Sequence, residues 1–241
     1  MKVAVVGGSG GIGAALITEL AARGEVSHIH GTYHRASPDS LVSVSNTATE
    51  LLWAQLDVSN EQAVSDWLAE LGAIDWIVNC VGLLHTDAHQ PEKTIRQFDA
   101  ALFQQSMNVN CLPTLLLAKY AHSALKGSKN ALFASVSARV GSIEDNRLGG
   151  WHSYRASKAA LNMALKCVAI EWQRTLPNVR VLSLHPGTTD TALSKPFQKR
   201  VSEGKLFSST KTARLLLEHM RCAHEHDSGR FIAWDGSPIP W

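Results

Sequence analysis

No stretch of this sequence stays apolar long enough to cross a bilayer as a helix. The first apolar run, residues 3–6, is short and followed at once by glycines. A signal peptide needs a longer run and a small-residue cleavage site, so none is expected. Neither sign of charge dominates: 23 Lys and Arg against 21 Asp and Glu leave a net charge of +2. Bulk charge therefore argues for neither a nucleic-acid nor a membrane partner. Cysteine is sparse. Cys80, Cys111, Cys167 and Cys222 are scattered, no CxxC pair occurs, and they read as reduced thiols of a cytoplasmic protein. Metal-ligand spacing is missing too. His85 and His89 lack the Glu of an HExxH helix, and His224-Glu225-His226-Asp227 reads as a solvated turn, so no metal is expected. Without a repeat, a low-complexity tract or a linker, residues 1–241 read as a single domain.

What is present is alternation. Short β-branched runs at Lys2–Val6, His28–Tyr33, 51–55, Trp76–Asn79, Ala131–Val136, 179–184 and 230–234 read as seven strands. Helical patterns lie between them at 12–23, Glu61–Leu71, 98–125, 153–173 and 211–222, with Pro113 expected to kink the third. Strands alternating with helices predict an α/β fold: one doubly wound Rossmann-type domain with a mostly parallel seven-stranded sheet. Residues 36–49 are Ser-rich and poorly periodic, so that connection is expected to be irregular. Residues 188–210 read as a mobile substrate loop or small helical lid.

Gly7-Gly8-Ser9-Gly10-Gly11-Ile12-Gly13 joins the first strand to the first helix. Glycines there allow a tight turn and bring phosphate oxygens to backbone N–H groups at a helix N-terminus. The segment fits GxGxxG through Gly8, Gly10 and Gly13, and GxxxGxG through Gly7, Gly11 and Gly13. It also fits the GxSxG elbow of α/β-hydrolases, with Ser9 as nucleophile, but an elbow sits deep in a chain after several strands and this one follows the first. At the end of the second strand, Gly31-Thr32-Tyr33-His34-Arg35 carries no acid for a ribose 2′-OH. Arg35 would attract a 2′-phosphate, so NADP(H) is preferred, with NAD(H) still open.

Tyr154 and Lys158 are four apart at the start of a long helix and share a face. A phenol titrates near pH ~10, and a neighbouring ammonium is expected to lower that value. Tyr154 could then donate a proton to a carbonyl as hydride arrives, or accept one in reverse. Trp151, just before this helix, is a candidate for substrate contact or for simple packing.

Over essentially its whole length the chain resembles the short-chain dehydrogenase/reductase family. Gly7, Gly11 and Gly13 match its glycine turn, although Val6 stands where the family often has Thr. Asp57-Val58 resembles the pair that contacts adenine, and Asn79-Cys80-Val81-Gly82 resembles the NNAG segment. Asn110 matches the helical asparagine that anchors a proton-relay water. Tyr154 and Lys158 match the catalytic pair, and Pro186-Gly187-Thr188-Thr189-Asp190-Thr191 matches the PGxxxT segment that holds the nicotinamide amide. Residues 137–143, 146–162 and 234–241 are most similar to the C-factor-like and sniffer-like carbonyl reductase branch, which includes a protein of developmental signalling.

The resemblance implies an NADP(H)-dependent oxidoreductase acting on a small carbonyl or alcohol. The cofactor would meet Gly7, Ser9, Gly11, Ile12, Gly13, Arg35, Asp57, Val58, Asn79, Val81, Gly82, Tyr154, Lys158, Pro186, Gly187, Thr188, Thr189 and Thr191. The catalytic set would be Ser137, Tyr154, Lys158 and Asn110. Counting back from Gly141, the family's serine spacing lands on Ala138. Ser137 is one residue short and is preferred as the serine, with Ser135 on the same strand face as the second candidate. A homodimer or homotetramer is also implied. The alternative is a catalytically silent dinucleotide-binding signalling protein on the same fold.

Overall fold

The computed structural model describes residues 1–35, 48–86 and 88–241. The connection expected to be irregular lies, up to residue 47, outside the described residues. The strands are β1 (Lys2–Val6), β2 (His28–Tyr33), β3 (Glu50–Gln55), β4 (Trp76–Asn79), β5 (Ala131–Val136), β6 (Val179–His185), β7 (Thr188–Thr189), β8 (Leu206–Phe207) and β9 (Arg230–Ala233). Seven of them form one sheet in the order β3-β2-β1-β4-β5-β6-β9. Every strand pair in it is parallel, as expected of a mostly parallel seven-stranded sheet. The two-residue strands β7 and β8 pair separately and were too short to leave a periodic signal.

The helices are α1 (Gly11–Ala21), α2 (Glu61–Leu71), α3 (Ala100–Asn110), α4 (Leu112–Leu125), α5 (His152–Thr175) and α6 (Ser209–Cys222). Side chains alternate across each strand, and the core divides accordingly. Val3, Val5, Leu132 and Ala134 pack with Leu16 and Ile17 of α1 and Leu216 and Leu217 of α6. Ala4, Val6, Ala131 and Phe133 pack with Leu68 of α2, Leu117 of α4 and Leu161 and Leu165 of α5. Both faces of β5 are therefore covered, which is why all six of its residues are buried and all but Ser135 are apolar.

Residues 98–125 do not form one kinked helix. The chain breaks at Cys111, and Pro113 falls in the first turn of α4. A proline ring excludes the carbonyl four residues back and offers no N–H, so its least costly helical place is the first turn. The break leaves Asn110 as the last residue of α3.

Side chains cap three helix N-termini. Asn60 accepts from Ala63 N–H, Asp99 from Leu102 N–H and Ser208 from Lys211 N–H. Helix α1, like α4 and α5, has no side-chain cap among the described residues: its N-cap is Gly10, and no acid lies in its first turn.

Candidate active site

Strand order reverses between β1 and β4, and the loops leaving their carboxyl ends bound a crevice, the usual ligand position in an open α/β sheet. On the β1 side, Gly7 turns the chain at φ +75°, its N–H donates to Thr32 Oγ1 at 3.0 Å, and Gly10 N–H closes the turn on Gly7 O at 3.1 Å. A Cβ on Gly13 would lie 2.3 Å from Gly7 O, so only glycine lets α1 start this close to the strand. The uncapped N–H groups of α1 could hold an anion. Among the described residues no group bonds Ser9 Oγ, which leaves the hydrolase reading without a base.

A cavity of about 530 Å³ runs from Gly10, Gly11 and Ile12 to Ser137, Tyr154 and Lys158. Of the residues expected to meet cofactor, Val81, Gly82, Pro186, Gly187, Thr188, Thr189 and Thr191 also line it. Asn79 does not. It is buried behind the wall, donating to Thr114 Oγ1 at 2.9 Å and accepting from Val81 N–H at 3.0 Å, so it holds the β4 loop in shape. Gly7, Ser9, Gly13, Arg35, Asp57 and Val58 also stand outside the lining, toward the β1–β3 end of the crevice. Arg35 is exposed and forms no ion pair with any described residue. Asp57 accepts from Ser59 Oγ and N–H at 2.6 and 2.9 Å, and these bonds hold its carboxyl below its ordinary range.

The two serine candidates separate clearly. Ser135 is fully buried in a network with Thr114, 3.2 Å away, and does not reach the cavity. Ser137 lines it, but its hydroxyl donates to Asn162 Oδ1 at 2.7 Å, as does Ser183 from β6. Ala138, at the family's usual serine spacing, lines the cavity with no hydroxyl at all.

Tyr154 and Lys158 sit on the first two turns of α5, 8% and 2% exposed. Lys158 Nζ donates to Val136 O at 3.0 Å and lies 6.0 Å from the centre of the Tyr154 ring. The expected acidification of the phenol is not produced by the protein's own groups. Burial raises the Tyr154 pKa above its ordinary value, and the same burial brings Lys158 down to about 8. Desolvation disfavours both charged forms, and it alone sets the direction of the Tyr154 shift. The nearby thiols do not add charge: burial pushes Cys80 up to about 12 and raises Cys111.

Asn110 clamps the site. Its Oδ1 accepts from Leu83 N–H at 2.6 Å, and its Nδ2 donates to Leu83 O at 2.8 Å and Ser157 Oγ at 2.9 Å. The side-chain amide thus ties the β4 loop to α5, and these protein partners take up its donors.

Three residues escaped sequence reasoning. Glu92 is a buried carboxylate that accepts from Ser153 Oγ and, at 3.3 Å, from Ser153 N–H, while its backbone O accepts from Trp151 N–H at 2.5 Å. It fixes the start of α5, just after Gly149, Gly150 and Trp151, which all have positive φ (63°, 65° and 51°). One acid in a polar loop gives no pattern to read. Asn162 gathers the two serine hydroxyls on the inner face of α5. His185 ends β6, lines the cavity and accepts from Arg139 N–H on Nδ1 at 3.2 Å. A lone histidine closing an apolar strand before Pro186-Gly187 was a signal that could have been used.

Residues 188–210, read from sequence as a loop or lid, contain the β7–β8 pair and a short 3₁₀ turn, Lys195–Arg200. Its Phe197 packs edge-on to Trp151 at 5.1 Å and to His85 at 5.8 Å, and Trp151 meets the Tyr154 ring at 6.2 Å. Trp151 therefore both packs and walls the cavity.

Comparison with known proteins agrees with this geometry. The family model described as short chain dehydrogenase matches residues 1–202. The 1-hydroxy-2-glutathionyl-2-methyl-3-butene dehydrogenase of Rhodococcus sp. (strain AD45) is 29% identical over 192 residues, 77% of this chain and 78% of that protein. The C-signal protein of Myxococcus xanthus is 30% identical over 143 residues, 59% of this chain and 81% of its own length. Among solved structures, carbonyl reductase Sniffer of D. melanogaster superposes with a TM-score of 0.84 at 19% identity, covering 100% of this chain and 99% of that one. The NADPH-bound carbonyl reductase from chicken fatty liver gives 0.84 at 21% identity, covering 100% and 94%. With the glycine turn, the switch-point crevice and the Tyr154–Lys158 wall all in place, the chain belongs to the short-chain dehydrogenase family and is an NAD(P)-dependent oxidoreductase acting between alcohol and carbonyl.

Proposed function

We propose that this protein is a cytoplasmic NADP(H)-dependent reductase of small carbonyl compounds. One observation carries the reading: a single cavity connects the uncapped N-terminus of α1 to the buried Tyr154–Lys158 pair. The glycine turn and α1 would hold the pyrophosphate, Asp57 and Val58 the adenine, Arg35 the 2′-phosphate, and Pro186 to Thr191 the nicotinamide amide. The NADPH-bound chicken liver relative supports the choice of NADP(H).

A bound nicotinamide supplies hydride to the carbonyl carbon. The protein's part is the proton. Burial keeps the Tyr154 phenol protonated through the neutral range, so it is ready to donate to the carbonyl oxygen as negative charge develops there. Lys158 steadies the resulting phenolate and binds the nicotinamide ribose, and Asn110 anchors the relay that returns the proton. Ser137 forms part of the wall beside the carbonyl. Exposed apolar residues on α4 and α5, Leu115, Met163 and Ile170, support a homodimer or homotetramer.

The test is NADPH oxidation with a panel of aldehydes, ketones and quinones. Turnover supports the reading. NADPH binding without oxidation of any panel member overturns it in favour of a catalytically silent dinucleotide-binding protein. Two further outcomes are expected. Arg35→Ala raises the Kd for NADPH about tenfold or more and that for NADH hardly at all, because only NADPH loses a charge-assisted contact; equal loss for both, by calorimetry, contradicts the 2′-phosphate assignment. Lys158 is depressed to about 8, so it is a cation below that pH and neutral above it. NADPH affinity should therefore weaken by about tenfold as pH rises through this value. Lys158→Met, uncharged throughout, should show no such step; a step that survives in this variant assigns the titration elsewhere.

A further inference from the structure

Reduction of a carbonyl leaves developing charge on oxygen, and one phenol supplies one hydrogen bond to it. Most polar side chains in the cavity wall are already engaged. Ser137 donates to Asn162, Lys158 to Val136 O, Thr189 pairs with Thr212 at 2.8 Å, and Ser194 donates to Thr189 O at 2.5 Å. His185 is different. Its Nδ1 accepts the Arg139 N–H, so the proton of the neutral ring sits on Nε2. That nitrogen forms no hydrogen bond with any described residue, and the ring that carries it lines the cavity. The ring is also kept neutral. Burial, then the Arg139 charge, lower its pKa to about 4, with the Asp235 carboxylate opposing them weakly. The Arg139 bond fixes the ring against the loop that carries Ala138.

Resting on the reductase reading above, we propose that His185 is a catalytic residue, its Nε2–H giving the substrate carbonyl oxygen the second hydrogen bond that Ser137 does not. The ring keeps its proton throughout. The C=O π bond is consumed as hydride forms the new C–H bond and the Tyr154 proton forms the O–H bond. His185 only orients the oxygen and stabilises its charge. A fixed neutral donor suits this role because it needs no reorganisation as charge appears. With the Asn162 amide turned over, Ser137 would instead be the free donor, and its own variant reads that case.

The experiment compares wild type, His185→Phe, His185→Gln and Ser137→Ala. Each is assayed with NADPH and whichever panel carbonyl the wild type reduces fastest, and NADPH Kd is measured by fluorescence titration. His185→Phe is expected to lower kcat about a hundredfold with Kd within about twofold. His185→Gln, which restores an N–H at similar reach, should recover to within about tenfold of wild type, and Ser137→Ala should lose less kcat than His185→Phe. A His185→Phe enzyme with nearly normal kcat, a loss confined to NADPH binding, or a larger loss in Ser137→Ala overturns the assignment. A wild type that binds NADPH and reduces nothing is a different failure: it removes the reductase reading and this inference with it.

Discussion

Tyr154→Phe is expected to lower kcat for carbonyl reduction by about a thousandfold while leaving NADPH Kd within about twofold of wild type. The substitution removes one oxygen from a ring that is only 8% exposed, and it leaves the edge contact with Trp151 intact. No described protein group hydrogen-bonds the phenol, so no partner is left stranded and the fold should be unaffected. What is lost is the proton donor. Because burial rather than Lys158 dominates the phenol in the protein alone, Tyr154 serves as an acid that is fully protonated at neutral pH. Stopped-flow measurement of NADPH oxidation, paired with a binding titration, separates the two effects. Equal turnover in the variant would refute the acid assignment; parallel loss of binding would make Tyr154 a cofactor contact instead.

Gly13→Ala is expected to be the most damaging small substitution. Its Cβ would stand 2.3 Å from Gly7 O and 3.0 Å from Gly8 Cα, both backbone atoms that cannot rotate away. Helix α1 must move off β1, which costs about 2–3 kcal/mol and disorders its uncapped N-terminus at the same time. The expected readouts are a melting temperature lower by about 5–10 °C and no measurable NADPH binding. Gly24→Ala is the control, since a Cβ there meets nothing within 4 Å. If both variants melt alike and both bind NADPH, the close packing at Gly13 has no functional consequence.

The fold was legible because a doubly wound sheet writes its period into the chain. Covered on both faces, β1, β4 and β5 appear as predominantly apolar runs, and the glycine turn after β1 announces where the crevice opens. Tyr154 and Lys158 were legible because one helical turn brings them to one face. What stayed hidden were contacts made between distant segments. The grip of Glu92 on Ser153 joins residues 61 apart, and the Arg139 bond to His185 joins residues 46 apart. No local pattern encodes either pairing. The Lys158 effect was misjudged for a related reason: charge proximity can be read from spacing, whereas desolvation depends on everything packed around the pair. Likewise Asn110 was recognisable as a site residue, but not as the clamp between Leu83 and Ser157.

The most direct test of active reduction at this site is transfer of label. NADPH carrying deuterium on the reactive face of its nicotinamide is incubated with the protein and a reducible aldehyde or quinone, and the product is examined by mass spectrometry. Deuterium bound to the former carbonyl carbon of an aldehyde, present with wild type and absent with Tyr154→Phe, is the expected result. Unlabelled, unreduced carbonyl recovered alongside protein that has bound the cofactor would contradict it.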